Sequence, residues 1–296
     1  MRILKIIAVI IIASISACQP GEKVDVTAND YHNALDKLTE VMVYDIFSPP
    51  EASRVYAYPS ITAYEIKVQD TANAYKSLSG QIDHFPPIPK LKEQRDVNLN
   101  MSAVMAYLNV GEELIFSTQK VKAYKDSIYQ NWKKSPRFKE SLSYANKVSQ
   151  HIIEWAKKDN YAQTRTMPKF SINTDDPSRW VPTPPDYMDG VNPNWYKMRT
   201  FVLDSASQFK PQRPTPFSMK ENSQFYKEVM EVYEAVNKAR EKGDESEEVR
   251  IAQFWDCNPY VSTHKGHMMF ATKKITPGAH WILINKIASR KADFNF

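Results

Sequence analysis

From Asp30 to Trp155, apolar side chains return every three or four residues in block after block, and prolines fall mostly between the blocks. That period places them on one face of a helix, whereas a half-buried strand would alternate in twos. Over Asp30–Phe47 the register runs Tyr31, Leu35, Leu38, Met42 and Ile46, with Asn29 or Asp30 as the cap and Pro49-Pro50 as the stop. Over Pro49–Val68 it gives two stripes, Ala52, Val55 and Tyr56, then Ile61, Tyr64 and Val68, on either side of Pro59. Tyr75–Pro89 reads as a connector. Asp96–Phe116 follows, with Val97, Met101, Val104, Met105, Leu108, Leu114 and Ile115 in register, then Val121–Trp132 and Phe138–Trp155. Met101 and Met105 are read as core. Seven glycines in 296 residues leave few tight turns for a sheet-rich fold. The fold class is therefore all-α, a helical bundle, and the length allows a sizeable core.

The texture changes near Asp159. From there to Phe217 no helix longer than three turns is expected, and nine prolines interrupt the chain, among them Pro168, Pro182, Pro193 and Pro211. The same segment carries Tyr161, Phe170, Trp180, Tyr187, Trp195, Tyr196, Phe201, Phe209 and Phe217. A segment this long and this aromatic is expected to pack, so residues 159–217 are read as an extended arm draped over the helices. Helical patterns resume over Asn222–Arg240, with Phe225, Val229, Val232, Tyr233 and Val236 on one side, and over Ser246–Trp255, where Ser246 opens a capped turn. A short helix is expected over His267–Ile275, and another from Ala279 to about Ala288 behind Pro277.

The N-terminus carries a separate signal. Arg2 and Lys5 precede an apolar run from Ile6 to Ile12, and Ile15-Ser16-Ala17 places small residues directly before Cys18. Residues 1–17 read as a signal peptide, too short in their apolar part to span a membrane. The small residues before Cys18 resemble a bacterial lipoprotein cleavage box, which makes Cys18 the expected lipid anchor and residues 18–28 a tether. The expected location is the cell envelope, periplasmic or at the outer-membrane surface, with the membrane as a partner through that lipid. Acylation would leave Cys257 without a disulfide partner, so it is read as a small buried hydrophobe. The formal charge of +5, two units of it in Arg2 and Lys5, is too small and too scattered to suggest nucleic acid.

Chemical motifs are scarce. His264, His267, His280 and Asp256 form the one cluster to weigh as a metal site, but zinc-module spacings and His-Glu-x-x-His are missing. Structural histidines at a helix junction are the preferred reading. Glycine-rich phosphate loops and a Gly-x-Ser-x-Gly elbow are also missing.

Two stretches carry a resemblance. The first is a proline pair followed by Ala52, Ser53 and Arg54, then Tyr56, Tyr58, Tyr64 and Glu65, in which Arg54 is expected to pair with Glu65 or Asp45 or to lie exposed. The second is Phe254–Trp281. Between them, Trp195, Phe201 and Gln208-Phe209-Lys210-Pro211 mark the end of the arm. Together they resemble the helical first half of vanadium-dependent haloperoxidase and type 2 phosphatidic acid phosphatase (PAP2)-like proteins, in the branch found as bacterial lipoproteins. That family binds vanadate or phosphate with a lysine seven residues before an Arg-Pro, a Ser-Gly-His, and a Ser-Arg with a histidine six residues beyond. Here Ala206 stands seven residues before Arg213-Pro214, Ser-Gly-His is missing, and no Ser-Arg has the histidine. The resemblance thus implies that residues 29–296 are an N-terminal helical domain. Catalytic, cofactor-binding and metal residues would then be none on this chain. Vanadate would belong to the full-length protein, and the catalytic domain would lie beyond Phe296. This chain would be inactive alone and would pack against the missing bundle or a second copy of itself. Chemistry in such a protein would be halide peroxidation or phosphate ester hydrolysis. The alternative is a surface-anchored all-α lipoprotein that binds glycans or proteins, with Trp180 and Trp195 as candidate stacking platforms.

Overall fold

The computed structural model describes residues 24–294 except 73, 92, 185, 186, 260, 261, 266, 267 and 272. The signal peptide, Cys18 and most of the tether lie outside the described residues. Five helices make the bundle: α1 (Ala28–Tyr44), α2 (Pro49–Lys67), α3 (Leu99–Glu113), α4 (Thr118–Trp132) and α5 (Phe138–Ala156). A short α6 (Tyr161–Thr164) opens the arm. Beyond the arm come α7 (Gln224–Lys242), α8 (Glu247–Trp255) and α9 (Pro277–Lys291).

The chain is organised around α3, which packs on α1, α2, α4 and α5. Its residues Met101 and Ala103 to Leu108 are fully buried, as befits a helix that is apolar on every side. Gly111 lets α1 come close, since a Cβ there would lie 3.0 Å from both methyls of Leu38. The α3–α5 contact is pinned by Ser141, whose Oγ accepts the Asn98 N–H at 2.9 Å and whose carbonyl accepts from Ser102 Oγ at 3.0 Å.

Helix ends follow local chemistry. Thr27, not Asn29 or Asp30, caps α1, and its capping box with Asp30 satisfies two otherwise orphaned donors. Ser48 caps α2 with Pro49 in the first turn, and the helix runs unbroken through buried Pro59, so the two expected stripes belong to one helix. Thr276 caps α9 ahead of Pro277. The expected helix over His267–Ile275 is not formed. Instead β1 (Ser262–Lys265) and β2 (Met268–Ala271) pair antiparallel, Ser262 opposite Ala271 and Lys265 opposite Met268. Pairing with β1 satisfies the backbone of Met268–Ala271 in place of helical bonds. This ribbon leaves the fold class all-α. No helix of the described residues is long and apolar enough to cross a membrane.

The arm is only partly draped. Tyr161, Trp195 and Phe201 pack near its crossing of α2, while Tyr187, Tyr196, Phe209 and Phe217 are exposed. Phe170 and Trp180, exposed as well, lie edge to face against each other.

Candidate functional site

The densest polar cluster forms where the arm meets α2. Glu51, Arg54 and Tyr58 sit at helical spacing on one face of that helix. Arg54 Nε donates to Asp159 Oδ2 at 2.6 Å, and its side chain is 9% exposed against 1% for its partner. This replaces the expected pairing with Glu65 or Asp45. Buried Glu65 instead accepts from the Leu78 N–H and Ser77 Oγ, anchoring the connector, and Asp45 accepts from the N–H groups of Phe116 and Ser117. Tyr58 donates its hydroxyl to Asp159 at 2.9 Å and accepts from Arg199 Nη2 at 2.8 Å. Burial, reinforced by the Asp159 charge, pushes the Tyr58 phenol well above its ordinary pKa. Arg199 also donates to the Trp155 carbonyl and lies 4.3 Å over the Trp155 ring.

A second group extends the clasp. Glu51 accepts from Ser48 Oγ, Tyr161 Oη and Arg165 Nη1, at 2.9, 3.1 and 2.7 Å. Asn192 bridges Arg165 and Ser48. Asn160 turns the chain out of α5 with φ +71°, a left-handed conformation asparagine tolerates, and its amide donates to the Lys197 carbonyl. Of these residues the sequence singled out Arg54 and Tyr58. Asp159, Arg165 and Arg199 were missed, and the available signal was an isolated charge among aromatics.

The stretch around the late histidines is polar. Among the described residues no group of His, Cys, Asp and Glu could hold a metal ion. Asp256 pairs with Lys274, and His280 stacks on Trp255 with ring centroids 4.9 Å apart. His264 lies in β1 opposite Met269, and His267 is outside the described residues. Cys257 is free and buried, with Sγ 3.2 Å from His280 Nδ1. Burial raises its thiol pKa, so it reads as an inert hydrophobe.

The helices beyond the arm leave apolar faces uncovered. The α7 stripe exists as expected, yet Val229, Val232, Tyr233 and Val236 are exposed, and α7 has no buried residue. Ile251, Phe254 and Trp255 on α8, and Trp281, Ile284 and Ile287 on α9, are exposed too. Trp180 and Trp195 pack separately, Trp180 on Phe170 and Trp195 edge-on to Tyr161.

One cleft of about 520 Å³ opens onto the clasp, lined by Arg54 and Arg199 together with Ser53, Tyr58 and Trp195. It has no lysine or histidine in its wall, and Arg54 is already committed to Asp159. A vanadate trianion needs several free cations and an apical histidine, so these residues do not fit it.

The architecture is that of an all-α haloperoxidase-type bundle. The solved structure described as the first bacterial vanadium-dependent iodoperoxidase is 49% identical, with a TM-score of 0.87 over 93% of this chain. The match spans 64% of that protein's length. Over most of its length the chain is thus similar to a vanadium-dependent haloperoxidase. No protein-family model matches it, and the search of curated proteins finds no match.

Proposed function

We propose that this chain forms the N-terminal helical part of a vanadium haloperoxidase-type enzyme. Its oxyanion site would be built by a following segment that packs against α7, α8 and α9. The uncovered apolar faces of those three helices carry this reading. It is supported by the partial span of the match to the iodoperoxidase, and by the absence of the family's anion-binding motifs from the sequence. Of the two family chemistries, that likeness favours halide oxidation, with iodide as the first substrate to try. Vanadate would supply the peroxide-activating centre when bound to the whole enzyme. The residues of this chain would hold the bundle rigid and wall the site from one side. Acylation of Cys18, after removal of residues 1–17, would tether the protein by lipid to the cell envelope. Iodide oxidation with hydrogen peroxide and orthovanadate is the direct assay. The 296-residue chain alone is expected to show no turnover above buffer, and any vanadate-dependent turnover would refute its inactivity.

A further inference from the structure

We propose that the cleft where the arm crosses α2 binds a small aromatic carboxylate, with its anionic group on Arg54 and Arg199 and its ring against Tyr58, Trp195 and Phe201. The volume of about 520 Å³ falls within the range of small-molecule sites. The charge balance of the clasp leaves one cation over. Three guanidiniums, Arg54, Arg165 and Arg199, meet two carboxylates, Asp159 and Glu51. Arg165 is paired with Glu51 and Arg54 with Asp159. Arg199 has neutral partners only, the Trp155 carbonyl, the Tyr58 hydroxyl and the Trp155 ring. Its Nε is buried without a hydrogen-bond partner among the described residues. Asp83 accepts from Thr200 Oγ1 at 3.3 Å, but it is exposed and forms no ion pair with either arginine.

Neither carboxylate of the clasp lines the cleft, whereas both arginines do. A half-buried guanidinium without a counter-ion is costly, and an anion in the cleft would offset that cost. Arg54 also retains Nη1 as a donor, since Nε bonds Asp159 and Nη2 the Ala156 carbonyl. One surplus charge suits a monoanion better than a phosphate, and the flanking rings supply stacking and cation–π surface for an arene.

The test is calorimetric titration of the full 296-residue chain with benzoate, with benzamide and inorganic phosphate in parallel. Saturable one-to-one benzoate binding is expected, with the neutral amide and phosphate each at least about tenfold weaker. Arg199→Gln is expected to lose about tenfold or more in benzoate affinity. Because Arg199 also braces Trp155 and Tyr58, Ala206→Trp serves as a second variant. It fills the cleft from an exposed position, leaves both arginines in place, and is expected to abolish binding. No saturation by about 10 mM benzoate, equal affinity for benzamide or phosphate, or full affinity in Ala206→Trp would each overturn the proposal.

Discussion

Arg54 in α2 and Asp159 just beyond α5 meet at 2.6 Å across 105 positions of chain, and that pair fixes where the arm begins. The carboxylate also receives the Tyr58 hydroxyl and, through Oδ1, the Tyr161 N–H, while its own carbonyl accepts from the Arg199 N–H. One residue therefore joins two bundle helices to both ends of the packed part of the arm.

Asp159→Asn removes the charge and strands a guanidinium that is nine-tenths buried. The expected loss is about 3–5 kcal/mol in urea unfolding, because a buried ion left unpaired costs more than the pair contributed. Replacing both partners, Arg54→Met with Asp159→Leu, is expected to cost less than Asp159→Asn alone. A double variant as unstable as the sum of its singles would show that the two residues are not coupled.

The α1–α3 approach makes a separate prediction at Gly111. Valine there adds bulk where a Cβ already lies 3.0 Å from the Leu38 methyls, and overpacking of about 1–3 kcal/mol is expected. Leu38→Ala creates room, so Gly111→Val should cost less in that background. Equal cost in both backgrounds would place the strain elsewhere.

Acidification is expected to loosen α9 through His32. The Nδ1 atom is buried without a partner, and Nε2 lies 3.2 Å from Ser289 Oγ, whose proton goes to the Lys286 carbonyl. Burial lowers the His32 pKa, with Arg290 and Lys286 adding to the effect and Asp36 opposing it. The docked helix thus favours the neutral ring. Its contribution is complete above the ordinary histidine pKa of about 6.5 and is lost as pH falls from there toward the lowered value. An NMR titration of His32 checks the direction, and His32→Gln should flatten the loss of thermal stability on acidification. A midpoint at or above the ordinary value would contradict the docking described.

Cys257 is expected to react slowly with a disulfide reagent at neutral pH while the protein is folded, and rapidly in denaturant. Its burial and raised pKa both disfavour the thiolate. Fast labelling of the native chain would mean that the α8–α9 junction opens readily.

The bundle is legible because its helices carry apolar stripes that periodicity reports directly, and beyond it the cap Ser246 stands out as a local signal. The clasp is not, since periodicity says nothing about which charge meets which across 105 positions. Arg54 stands out in the sequence while its partner Asp159 does not, and Arg199 sits in an arm whose pattern is dominated by aromatics. The strand Met268–Ala271 falls inside the expected His267–Ile275 helix because a run of four residues shows neither period clearly. Counting the arm's aromatics as packing residues overstated its burial, since Phe209 and Tyr187 face outward.

The intact mass of the protein isolated from its own cells shows whether α7, α8 and α9 pack against a following segment. The expected mass exceeds that of this 34.2 kDa chain by a further segment on the order of 100–200 residues. A native mass at or below 34.2 kDa would contradict it.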